Sequence, residues 1–406
     1  MIDARAPAKV HAGELAKVHA GELAKVHAGE LAKVPSGTRA DLDAGARRYY
    51  RPELDVLRFV AFLLVYLSHV VPGDEAFFTQ LHIPRQIADF IIAFAAGGSW
   101  GVDLFFALSS YLITTILLRE RQTVGRIDIG SFYWRRVLRI WPLYFVFLLC
   151  VVPLIRLWLP ADEMSGKYAL TYALFVGNWA CVFWGYPHSI AGPLWSVSIE
   201  EQFYLTWPLI LRRWANHLVA VACVLLGVAL LTRGWLAVHG AIHPQIWCNT
   251  LARLDPIACG ALLAAYTQRH QFVLSARVRT LLIVSGLLGI AAIGQFGDFT
   301  GSRAMITFPA GTLACMALLV ATVGTPSSSK NVLLAYLGRI SYGLYVFHLM
   351  FLEVFGVLTA HDPLSRSLRI AGAFTATVVV SACSYRFLEQ PFLRLKHSKF
   401  THVATV

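Results

Sequence analysis

The chain has 406 residues, of which 57% are hydrophobic and only 14% charged. Soluble domains carry about 25% charged residues, so the composition excludes a water-soluble globular protein and indicates an integral membrane protein. The net charge of +12 would suit nucleic acid, but the basic residues stand in short clusters beside apolar spans. That is how orientation signals are distributed in membrane proteins, and no nucleic-acid partner is expected.

In chain order, the first segment is a repeat. From Ala8 to Val34 the unit AKVHAGEL runs three times and a fourth copy begins. An eight-residue period is not a heptad, and the unit carries too few large apolar residues for a solenoid. Residues 1–48 read as a disordered cytoplasmic tail, and His11, His19 and His27 as products of tandem duplication rather than a metal tract. No apolar signal-peptide core follows the first methionine. The seven cysteines show neither metal-ligand spacing nor a disulfide framework, and no metal is expected.

Ten apolar segments then follow, at about 54–72, 100–118, 137–158, 194–211, 216–232, 250–266, 280–296, 304–323, 333–358 and 368–388. The expected fold class is all-α, a polytopic membrane helical bundle of about ten transmembrane helices. A single membrane domain covers 49–395, with a short cytoplasmic tail at 396–406. The loop between the second and third spans, with Arg119, Arg121, Arg126, Arg135 and Arg136, is the most basic and reads as cytoplasmic. Segment 168–184 is apolar too, but counting it as a span puts Arg212 and Arg213 outside. Treating it as re-entrant or packed within the protein leaves both termini cytoplasmic.

Polar residues inside this apolar background are the functional candidates. In the first span, Arg58 and His69 are eleven positions apart, three helical turns plus about 20°, so they share one face with about 16 Å of rise between them. In FYWRRVLRIWPLYF, Arg136 and Arg139 share a face at i, i+3, and Arg135 meets Arg139 at i, i+4. Guanidinium forks suit phosphate or pyrophosphate, although the same residues also serve as orientation-setting charges. Glu200 and Glu201 lie inside the span LWSVSIEEQFYLTWP, and His348 ends ISYGLYVFH. His348 has two readings, a packed core residue or a second catalytic group. Asp103 reads as a capping or pairing group. Counted from the span ends, His69, His348, Glu200 and Glu201 all fall about 20–22 Å above the cytoplasmic boundary. A through-protein cavity is expected, with a cationic inner mouth and a histidine/carboxylate centre in its outer half.

The motifs Arg58-x10-His69, GVDLFFALSSYLI, Arg136-x-x-Arg139 after FYW, LWSVSIEEQFYL and ISYGLYVFH occur in an order that resembles the acyltransferase-3 family of integral membrane acyltransferases, over roughly 51–394. Ser110 stands where many relatives carry glycine. The resemblance implies transfer of an acyl group, by default acetyl, from cytoplasmic acetyl-CoA or another acyl-CoA to a hydroxyl of a carbohydrate or glycolipid beyond the bilayer, at a bacterial inner membrane. It implies His69 as general base, Glu200 or Glu201 as its orienting carboxylate, Arg136, Arg139 and Arg135 at the donor phosphates, and Arg58 at the developing oxyanion. Direct transfer and an acyl-histidine intermediate both stay open. A separate extracytoplasmic transferase is a candidate partner. The rival readings are an exporter of a small anion or lipid-linked precursor and a catalytically silent scaffold.

Overall fold

The computed structural model describes residues 51–159, 164–270, 273–296, 300–325, 331–360 and 362–395. The octapeptide repeat and both expected tails lie outside the described residues. The described chain is helical, and helices occupy every one of the ten segments expected to cross the membrane. In chain order the main ones are α1 (Pro52–Val70), α2 (Arg85–Gly97), α3 (Gly101–Val124), α4 (Ile129–Val146), α5 (Gly166–Ala173), α6 (Gly177–Trp184), α7 (Trp195–Trp214), α8 (Leu218–Val238), α9 (Leu254–Arg269), α10 (Ala276–Gly294), α11 (Ala304–Val323), α12 (Val332–Arg339), α13 (Ser341–Val354) and α14 (Pro363–Ser384).

Among the described residues, six helical stretches are long and apolar enough to cross a membrane, or seven if the α12–α13 pair, bent by 71°, counts as one span. Two of the six run 40 and 47 residues and include α2 with α3 and α7 with α8, well beyond the roughly 20 residues one crossing needs. Leu149, Leu231, Leu313 and Leu368 stand exposed on the outside, as a surface facing lipid rather than water would present them. The chain is thus a multi-pass membrane protein built from helices. Segment 333–358, expected as one helix, is instead broken at Ile340.

Segment 168–184 does not cross. It forms α5 and α6, eight residues each, about 12 Å long at 1.5 Å per residue, hinged at Phe175, which takes a positive φ of 55°. A buried amide network ties the pair inward. Gln202 donates to the Phe175 carbonyl (3.0 Å) and to Asn178 (2.8 Å), and Asn178 donates in turn to Thr250 (2.9 Å) and the Cys248 carbonyl (3.0 Å). Such a network satisfies polar groups that lipid could not.

Local chemistry sets the helices that carry the candidate residues. Pro52 opens α1, where its missing N–H is no loss, and Arg51 anchors that end to the Val323 and Thr325 carbonyls at 2.8 and 2.7 Å. Asp128 caps α4, accepting from the Ser131 N–H (3.0 Å) and hydroxyl (2.6 Å). Those two bonds hold its carboxyl below the usual carboxylate range. Gly101 lets α3 lie directly on α1: a Cβ there would meet the Ala61 carbonyl oxygen and come within 2.9 Å of Val65. Gly101→Ala is therefore expected to cost about 1–3 kcal/mol, read as a lower unfolding midpoint in detergent; an unchanged midpoint would mean the two helices are free to part.

Ser110 is fully buried and donates to the Ile257 carbonyl at 2.6 Å. Its Cβ packs on Gly260 of α9, where an added Cβ would lie 3.0 Å away. The glycine that gives α3 and α9 room is on the partner helix, so Ser110 fits without strain.

Candidate active site

α1, α3, α4, α7 and α13 line a cavity of about 140 Å³ whose walls carry Arg58, Arg136, Arg139 and one carboxylate, Glu200, with Phe105, Ser109, Ser196, Tyr204 and Tyr345. Three guanidinium groups against one carboxylate leave it cationic. Arg58 donates to Asp55 at 3.1 Å, and the Arg136 guanidinium lies 5.4 Å from the Phe132 ring and 5.5 Å from the Tyr204 ring. The Arg136 Nε is buried with no hydrogen-bond partner. Buried guanidinium N–H groups ordinarily find acceptors, so this donor is positioned to take one from a ligand.

Arg135 does not line this cavity. It pairs with Glu120 at 3.7 Å. On a helix Arg135 and Arg136 point about 100° apart, on either side of Arg139, and the cavity lies on the Arg136 side.

The second cavity, lined by His69, Ser68, Ser99, Val102, Tyr186, Trp195, His243, Trp247 and Tyr345 among others, sits at the far end of α1. The His69 and His348 rings meet edge to face, 5.2 Å between centroids at 75°, so the shared level expected for the two histidines holds. His69 Nδ1 lies 2.8 Å from the Val65 carbonyl, and His348 Nδ1 lies 2.6 Å from that of Tyr345. A carbonyl oxygen only accepts, so Nδ1 carries the proton in both rings. In the neutral form the lone pair then sits on Nε2. His348 is fully buried and its Nε2 has no partner; His69 is the one that faces the cavity.

The carboxylates are not beside the histidines. Glu200 accepts from Ser109 (3.0 Å) and Tyr204 (2.9 Å) in the arginine cavity. Glu201 accepts from the Trp141 indole at 3.2 Å and lines neither cavity. The expected histidine/carboxylate centre is therefore corrected: a backbone carbonyl one turn back orients His69, a role a carboxylate could otherwise fill. The levelling failed for Glu200 because the chain before α7 is already deep in the protein. Gly192, Pro193 and Trp195 line the histidine cavity, and from Ser196 onward, Glu200 included, the helix lines the arginine cavity instead. Arg58 lines the arginine cavity with Arg136 and Arg139, as their shared place near the cytoplasmic edge leads one to expect, and its head group turns to Asp55 at 3.1 Å rather than toward His69.

Val102 and Tyr345 line both cavities, so the two adjoin at these side chains. The Tyr345 hydroxyl is 2.7 Å from the Ser196 hydroxyl and donates to the Pro193 carbonyl at 2.9 Å. Sequence reasoning passed over Tyr345 and Ser196, although both stand at helical spacing from chosen residues, three before His348 and four before Glu200. Asp103 pairs with Arg253, both buried, at 2.8 Å.

Of two adjoining cavities of this kind, the cationic one can bind an anionic carrier and the imidazole-lined one can activate a nucleophile. Comparison with known proteins bears on that chemistry. Peptidoglycan O-acetyltransferase OatA of Listeria monocytogenes is 26% identical over 375 residues, 85% of this chain and 56% of its own length. A Staphylococcus aureus protein named "Putative O-acetyltransferase SAS0844" is 26% identical over 367 residues, covering 84% of this chain and 57% of that protein. "Putative peptidoglycan O-acetyltransferase YrhL" of Bacillus subtilis is 26% identical over 331 residues, 73% and 51% of the two chains. The chain thus spans little more than half the length of these curated relatives. No solved structure matches it. The acyltransferase-domain family matches residues 51–386, the whole helical body that carries both cavities, and the chain belongs to this acyltransferase-3 family.

Proposed function

We propose that this protein moves an acetyl group from acetyl-CoA to a glycan hydroxyl across the membrane, with the arginine cavity as donor site and the histidine cavity as transfer site. The observation that carries this reading is the stacking of the two cavities at Val102 and Tyr345. CoA is a linear molecule, with phosphates at one end and a thioester at the other. The rise of about 16 Å between Arg58 and His69 suits phosphates held by Arg58, Arg136 and Arg139 while the pantetheine arm passes Tyr345 and presents the thioester to His69. The basic α3–α4 loop supports a cytoplasmic donor side, at a bacterial inner membrane with both termini inside.

In the transfer step His69 Nε2 takes the proton from the acceptor hydroxyl as its oxygen bonds to the thioester carbonyl carbon. The carbon–sulfur bond then breaks, and the proton passes from Nε2 to the departing thiolate of CoA. His348 fixes the His69 ring by edge-to-face packing. Attack by His69 itself, giving an acyl-imidazole, is the alternative first step. Membership of an acyltransferase family weighs against an exporter.

The test uses the full chain in lipid nanodiscs with acetyl-CoA. Free CoA is expected to appear at a rate that rises with added glycan and to match acetylated glycan mole for mole. CoA release indifferent to every alcohol offered overturns the reading. Release that appears only when a separate extracytoplasmic transferase is added identifies that partner as the acceptor.

A further inference from the structure

The histidine cavity has a composition that the transfer chemistry does not require. None of its described lining residues is Asp, Glu, Lys or Arg. One side is a run of stacked rings: the Arg253 guanidinium lies 4.0 Å from the Trp247 ring, His243 stacks on Trp247 at 5.4 Å and 21°, and Tyr186 lies against His243 at 6.1 Å. The run starts on the buried Arg253–Asp103 pair and ends at Tyr186, which is 37% exposed. Trp195 joins it from the side, 6.5 Å from Trp247.

The hydroxyls are directed as well. Ser68 donates to the Val65 carbonyl at 2.7 Å and Ser99 to the Ala96 carbonyl at 3.0 Å. Their protons are in use, so toward the cavity both oxygens act as acceptors. The fitting ligand is uncharged, has an apolar face for Tyr186 and carries O–H donors on its edge. A sugar ring has all three properties, with axial C–H groups on its face and hydroxyls around its rim.

We infer that the histidine cavity is a subsite for an uncharged sugar ring, stacked on Tyr186 and hydrogen-bonded to Ser68 and Ser99, and that it rejects rings bearing a carboxylate or phosphate. This rests on the reading that the acceptor hydroxyl is delivered to His69. Rejection follows because an anionic group entering the cavity would lose water and meet no Lys or Arg among the described lining residues. An anionic glycan is accepted only where a neutral unit enters.

The experiment is a binding titration of the full chain in nanodiscs, without donor, followed by intrinsic tryptophan fluorescence. Cellotriose, maltotriose and N-acetylglucosamine trimer are the neutral probes, and galacturonate trimer the charged one. At least one neutral trimer is expected to bind at least about tenfold more tightly than the charged trimer. Tyr186→Ala is expected to weaken that binding about tenfold, with Tyr186→Phe within about threefold of wild type, because stacking carries the affinity. Equal binding of neutral and charged trimers, binding of none, or a Tyr186→Ala protein that binds as wild type overturns the inference. Unfolding midpoints of both variants, and Trp195→Phe as a second ring change, separate lost binding from lost folding. Glycan-dependent CoA release without neutral preference sinks only this subsite. Tyr186-dependent binding of neutral sugar without any such release sinks only the transfer reading.

Discussion

His69→Ala protein is expected to fold, reach the membrane and bind acyl-CoA as wild type does, while transferring acyl groups about 10²- to 10⁴-fold more slowly, the usual contribution of a positioned general base. The structure gives the reason for each half of this result. His69 is at the last turn of α1 with its Nδ1 on the Val65 carbonyl, so its removal costs one local hydrogen bond. In the proposed reaction, however, the Nε2 lone pair is the base that takes the acceptor proton. His69→Gln is expected to be equally inactive, since an amide restores hydrogen bonding but not basicity. Transfer within a few-fold of wild type in either variant, measured as acetylated glycan per protein, would remove His69 from the chemistry.

The arginines are expected to separate into two classes. Arg136→Ala and Arg139→Ala should each raise the KM for acyl-CoA about 10- to 150-fold, from about 1.5–3 kcal/mol for a hydrogen bond to a charged group. Arg135→Ala should leave it within about twofold, because Arg135 pairs with Glu120 outside the cavity and exposed pairs contribute little. Arg136→Lys should recover little of the loss: an ammonium cannot reproduce the planar fork that lies against Phe132 and Tyr204. Donor KM values over the four variants check this, and equal losses at Arg135 and Arg136 would mean that bulk positive charge, not the cavity, holds the donor.

Residues on one helix were the easiest to place from sequence. Arg58 with His69, and Arg136 with Arg139, share faces because a 3.6-residue period fixes their angles; Arg136 and Arg139 line one cavity together, while Arg58 and His69 line one each of the two. Heights were harder. His69 and His348 meet, although the count that placed His348 ran along a segment that bends by 71° at Ile340, whereas Glu200 was measured from a boundary, Leu194, that is buried in the protein. Arg135 shows the matching limit for direction: periodicity gives the angle between it and Arg136, but not which side the cavity occupies.

By itself the sequence determined that this chain is a helical membrane protein, which segments are helices, and which ionisable residues lie in them, because the cost of burying charge and backbone in lipid leaves few alternatives. Tertiary structure alone decided that Glu200 joins the arginines, that a carbonyl rather than a carboxylate holds His69, and that Tyr345 borders both cavities. Those outcomes depend on contacts between helices far apart in the chain, where a shift of a few residues along an axis exchanges one neighbour for another and leaves no trace in local periodicity.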